Sequence, residues 1–140
     1  MVNQMADRNI RCHDHAPIWA WHSCQSYKQG PKLVDARALL SDMDLIDGIQ
    51  TIEFECPAQL VLLSHYGIWN SLLDIFYSDR DAAVIDQQTQ KKLFETARKN
   101  FRKYDCIQAT LPYLKLEWVK DIRDLNLRPN DWDYQPEEDV

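Results

Sequence analysis

Cys12, His13, His15, His22 and Cys24 place two thiols and three imidazoles within 13 residues, the nitrogen and sulfur donors that zinc takes at a tetrahedral site. The spacing is C-x2-H followed by H-x-C. It is not the paired C-x2-4-C knuckle, and no second pair follows. With Ile18–Cys24 extended, His22 and Cys24 share a face with Ile18 and Ala20, which an ordinary core also explains. Cys12, His15, His22 and Cys24 are therefore metal candidates, with an interior role the stronger reading. Cys56 or Cys106 with His65, His22 or His15 offers the elements of a thiolate–imidazole pair. No nucleophile elbow accompanies them, so buried thiols are favoured. Glu53 and Glu55 fall on one strand face, where a carboxylate pair can serve acid–base chemistry or simply face solvent. The three glycines, at 30, 48 and 67, cannot make a phosphate-cradling loop. No set of residues amounts to a catalytic constellation.

Two further groups point to binding. Lys91, Lys92, Arg98, Lys99, Arg102 and Lys103, opposed by Glu95, make a basic helix that can hold phosphates or nucleic acid, or be the solvated face of an amphipathic helix. Trp19 and Trp21 share a strand face, with Tyr27 nearby. Together with Tyr66 and Trp69 they are the candidates for stacking on a ligand or docking a partner, against the alternative of plain core.

These residues need elements to position them. Val2, Met5, Ala6 and Ile10 recur at helical spacing, and Pro17 stops that helix. Ile18–His22 reads as a strand, Gln25–Pro31 as a loop, and Asp35–Met43 as a short helix capped by Asp35. Asp47-Gly48 is a turn, followed by a strand over Ile49–Cys56. The run Leu60–Leu63 has the pattern of a strand covered on both faces. A helix follows with Ile68, Trp69, Leu72, Leu73, Ile75 and Phe76 inward. Ser78–Gln90 is polar and only partly helical, Lys91–Lys103 is a helix, and Cys106–Thr110 a strand. Leu114, Trp118, Val119, Ile122 and Leu125 then mark a last helix. Strands and helices mix without a βαβ rhythm. The expected class is α+β, with a small mixed sheet of about four short strands packed with four to five helices. Residues 1–129 read as a single globular domain.

Of 140 residues, 16 are basic and 22 acidic, giving a net charge of −6. Five of the acids (Asp131, Asp133, Glu137, Glu138 and Asp139) lie in 130–140, which contains no base, so the body is close to neutral and the tail is an acidic appendage. That balance argues against general duplex DNA binding and fits docking on a partner's basic surface. An apolar content of 45% excludes long disorder. No apolar run is long enough to span a membrane and the N-terminus has no signal-like segment, so a cytoplasmic protein with reduced cysteines is expected.

Gln4-Met5-x-x-Arg8, Pro17-Ile18-Trp19-Ala20-Trp21, Ile52-Glu53-x-x-Cys56-Pro57, Val61-Leu62-Leu63-Ser64, Trp69 with Leu73, and Ile107-Gln108-Ala109-Thr110 before Trp118-Val119 form a combined pattern. It resembles a bacterial family catalogued as a domain of unknown function, over nearly everything from Met1 to Arg128. The resemblance implies that relatives carry a further strand and helix upstream, this chain opening inside the Gln-Met-x-x-Arg helix. More distantly, the passage of short strands is similar to mono-ADP-ribosyltransferases, whose split sheet grips NAD. Three functions are thus in view, and the preferred one is a non-enzymatic interaction protein of bacterial or mobile-element origin that binds, and in one form inhibits, a protein or nucleoprotein partner. The alternative is an NAD-using enzyme, with a cleft between the Ile18 and Ile49 strands, Trp19, Trp21, Tyr66 or Trp69 stacking on the ligand, and Glu53 or Glu117 steadying the oxocarbenium. A small zinc domain is a third reading.

Overall fold

The computed structural model describes residues 1–24, 36, 40–79, 85–96 and 105–125. Outside them lie the Gln25–Pro31 loop with Tyr27, the Asp35 cap, Arg98, Lys99, Arg102 and Lys103, and the acidic segment 130–140. In chain order the elements are α1 (Val2–Ala6), β1 (Ile18–Ser23), α2 (Asp42–Asp47), β2 (Ile49–Phe54), β3 (Leu62–His65), α3 (Tyr66–Ser78), α4 (Gln87–Phe94), β4 (Ile107–Leu111) and β5 (Val119–Leu125), with 3-10 turns at Ala58–Leu60 and Leu116–Trp118. The class is α+β, as expected. The described strands form two antiparallel sheets rather than one mixed sheet, ordered β1-β4-β3 and β2-β5. The chain divides into two compact units, Met1–Pro31 with Cys56–Leu114, and Lys32–Glu55 with Lys115–Val140.

In the first unit, α1 ends in a tight reversal. The Asn9 N–H donates to the Ala6 carbonyl at 2.9 Å and the Ile10 N–H to the Met5 carbonyl at 2.9 Å, while Asn9 takes φ 62°. This is the Schellman closure, and asparagine is a side chain that tolerates the left-handed region it needs. The reversal turns Ile10 back onto Met5. Both are buried with Cys12 and Leu62, and Met1 and Phe94 pack against the cluster. Each large aliphatic side chain buried there contributes about 1.5–3 kcal/mol. The Cys12 thiol lies 3.7 Å from the Met5 sulfur.

Strand β4 is the centre of the three-stranded sheet and is buried along its whole length. One face carries Ile107, Ala109 and Leu111. On the other, Trp21, Gln108 and Ser64 form one cross-strand row, and Trp19, Thr110 and Leu62 the next. A bulge between Trp21 and Ser23 breaks the alternation of β1. Ser23, not His22, therefore continues the row of Ile18 and Ala20, and His22 is exposed. Strand β3 passes into α3 without a loop, the Tyr66 N–H extending the ladder to the Cys106 carbonyl at 3.0 Å. The inner part of α3 is half-buried (Ile68, Trp69, Leu72 and Leu73), whereas Ile75 and Phe76, expected inward, are exposed.

Helix α4 starts four residues before the expected Lys91. Asp86 caps it, accepting from the Thr89 N–H at 2.7 Å and the Thr89 hydroxyl at 3.0 Å. Those bonds hold the Asp86 carboxyl below the usual range, the backbone bond being the larger cause. Its buried contact is Leu93, and the described helix ends at Phe94.

In the second unit, Ser41 caps α2. Its hydroxyl accepts from the Asp44 N–H at 3.2 Å and donates to the Asp44 carboxylate at 2.6 Å. This helix buries Leu45 and leaves Met43, expected inward, exposed. Within the expected Asp35–Met43 helix Ala36 is helical, its carbonyl accepting from the Leu40 N–H at 2.9 Å. Gly48, at φ 87°, ends it, as the Asp-Gly turn signal implies. Strands β2 and β5 then pair from Ile49↔Leu125 to Phe54↔Val119, with a bulge at Glu53/Phe54. The expected last helix is corrected here: Leu116–Trp118 is a 3-10 turn and Val119–Leu125 a strand. Partners on β2 outweigh the helical spacing. Arg123 pairs with Glu53 at 2.9 Å, Gln50 donates to Asp124 at 3.0 Å, the Thr51 hydroxyl donates to the Arg123 carbonyl at 3.3 Å, and Ile52 sits opposite Ile122.

Candidate functional site

Alternation along β1 puts Trp19 and Trp21 on one face of the first unit's sheet. Helix α3, starting directly at the end of β3, brings Tyr66, Trp69, Asn70 and Leu73 (the i, i+3, i+4, i+7 stripe) against that same face. Trp19 stacks on Trp69 with centroids 5.3 Å apart and planes 29° from parallel. Trp21 meets Tyr66 edge-on at 4.9 Å and 79°. Between them opens a groove of about 250 Å³ lined by these residues, Ala20 and Gln108. Trp19 remains 42% exposed, while Gln108, only 4% exposed, is a buried carboxamide on the groove wall. All four aromatic candidates are therefore brought together. Asn70 and Gln108 are the polar members that spacing did not single out. Gln108 reaches the site only because β4 pairs with β1.

The groove is electrically neutral. Its lining holds no Asp, Glu, Lys, Arg or His, and the single carboxylate in α3 is Asp74, next to Leu73. Beyond Leu73 the exposed surface of α3 stays aromatic, through Phe76 and Tyr77, which is 79% exposed. On the same face of the sheet the Ser64 and Thr110 hydroxyls are fully buried, with no hydrogen-bond partner among the described residues.

The other candidates are placed elsewhere. Cys12 and Cys24 are buried, whereas His15 and His22 are exposed, and the His22 ring nitrogen lies 3.1 Å from the Ser23 hydroxyl. Partial desolvation of that ring lowers the affinity of His22 for a proton. Among the described residues no group of three or more His, Cys, Asp or Glu side chains is placed to hold a metal. The Cys56 thiol is pushed up by burial, away from the reactive thiolate. Glu53 is held by Arg123, Glu55 by Lys120 at 3.4 Å, and Glu117 lies 3.7 Å from Lys115. Strands β1 and β2, the walls of the expected nucleotide cleft, belong to different sheets. Lys91 and Lys92 stand exposed in the last turn of α4, where cations complement the helix dipole. A pair not anticipated joins His65 Nε2 to Asp105 Oδ2 at 3.1 Å, across 40 residues.

No family model, curated protein or solved structure matches the chain. No helix among the described residues is long and apolar enough to cross a membrane.

Proposed function

We propose that this chain is a non-enzymatic interaction module that holds a partner protein in the aromatic groove between β1 and α3. The observation that carries the reading is the exposed Trp19 ring at a slot lined by four aromatic side chains and no charged one, with Phe76 and Tyr77 exposed further along α3. Tryptophan and tyrosine in a half-open pocket are the residues on which binding energy concentrates at interfaces. Burial pushes the Cys56 thiol up, and Glu53 and Glu55 each face a cation. The acidic balance of the chain favours encounter with a basic surface.

Capture from host lysate with chemical crosslinking tests the reading when wild type is run beside Trp19→Ala, Tyr77→Ala and Lys92→Ala. One stoichiometric partner should be retained by wild type and Lys92→Ala. Loss of Trp19 should weaken it by about 30-fold or more, the scale of an aromatic anchor. A partner held equally by a folded Trp19→Ala protein, or no stoichiometric partner for wild type, overturns the proposal.

A further inference from the structure

We infer that the side chain seated in the groove is an arginine of the partner, its guanidinium stacked on the indole surface and its N–H groups donating to the carboxamide oxygens of Asn70 and Gln108. The inference rests on the docking reading and adds the chemistry of the occupant. Size is the first argument. At about 250 Å³ the groove lies below the range of roughly 300–1,000 Å³ typical of drug-sized ligands, and suits one side chain.

Charge is the second argument. Indole faces are the strongest aromatic attractors of cations, and three of the lining rings are indoles. No lysine or arginine lines the groove, so a phosphorylated occupant would shed its hydration with no counter-charge to meet it. The nearest carboxylate along α3 is Asp74. A slot with three indoles and no basic residue favours a cation over an anion.

Polarity is the third argument. An aliphatic or phenyl occupant would cover the Gln108 carboxamide without giving its oxygen a donor, which disfavours it. A planar guanidinium stacks and donates at once. A lysine ammonium is a compact, strongly hydrated point charge that does the first poorly. The molecule already makes the same kind of contact within its own chain, with the Arg8 guanidinium 5.2 Å from the Phe94 ring centre.

The test uses the full chain and follows the five tryptophan indole N–H signals by NMR, with those of the groove assigned by Trp→Phe variants. The probes are N-acetyl-arginine amide and its citrulline, lysine and phenylalanine counterparts, and adenosine monophosphate. Arginine should shift the Trp19, Trp21 and Trp69 signals saturably, with citrulline, which keeps the shape and loses the charge, at least tenfold weaker. Asn70 is exposed on a helix, so Asn70→Lys should fold and abolish the shifts, while Asn70→Asp should strengthen binding several-fold. Equal or stronger shifts with phenylalanine or the nucleotide, or none with arginine, overturn the assignment. If the crosslinked partner is still lost on Trp19→Ala, such results leave the docking reading standing. If both experiments fail, both readings fall.

Discussion

Thr110 offers a sharp test of the packing beneath the groove. Its side chain is fully buried on the central strand, between Trp19 on one side and Leu62 on the other, and its hydroxyl finds no partner among the described residues. A buried hydroxyl that has given up water for nothing costs about 1–3 kcal/mol. Thr110→Val keeps the branched shape and strand preference while replacing the hydroxyl by a methyl group. It should therefore raise unfolding stability by about 1–3 kcal/mol, or roughly 3–5 °C in Tm per kcal/mol for a chain of this size. Thr110→Ser, which keeps the hydroxyl and deletes a methyl, should lower stability by about 1 kcal/mol. Urea unfolding followed by tryptophan fluorescence reads both. A valine variant less stable than wild type by 1 kcal/mol or more would refute the reasoning, because it would mean that the hydroxyl is bonded in the folded protein.

Two other expectations follow from titratable groups. The Asp86 carboxyl is held below its usual range by the Thr89 bonds, so the folded state resists protonation more than the unfolded chain does. Its contribution is fully present above about pH 4 and disappears as pH falls through the depressed folded value. Asp86→Asn keeps an acceptor without the charge, and should flatten this part of the decline in urea midpoint between pH 5 and pH 3; an unchanged slope would count against the cap. Burial raises the Cys56 thiol, so its alkylation by iodoacetamide should follow a pH profile displaced upward from that of a free cysteine. A rapid reaction at pH 6 would restore Cys56 as a nucleophile.

The sequence made some of this structure legible. Alternation in Ile18–Trp21 and the apolar run before Ser64 mark strands wherever they pack, and Trp69 follows Tyr66 by one helical turn. The four rings of the groove were thus nameable, but not their meeting, which depends on β4 lying between β1 and β3. Residues 114–125 misled because Leu114, Trp118 and Ile122 repeat at helical spacing, whereas pairing with Glu53, Gln50 and Ile52 decides for a strand. A cross-strand partner 70 residues away leaves no local trace. The His65–Asp105 pair is hidden for the same reason. The start of α4 was readable, in contrast: Asp86 and Thr89 are a cap signal sitting in a stretch whose polarity suggested a loop.

The order β1-β4-β3 also has a consequence for the nascent chain. Strands β1 and β3 touch β4 and not each other, so until Ile107–Leu111 has left the ribosome neither has its neighbour in this sheet. The face that Trp19 and Trp21 share with Gln108 and Thr110 is complete only once Ile107–Leu111 has emerged, and pairing across so many residues is slow. Synthesis halted before that point would leave β1 and β3 without the strand that joins them.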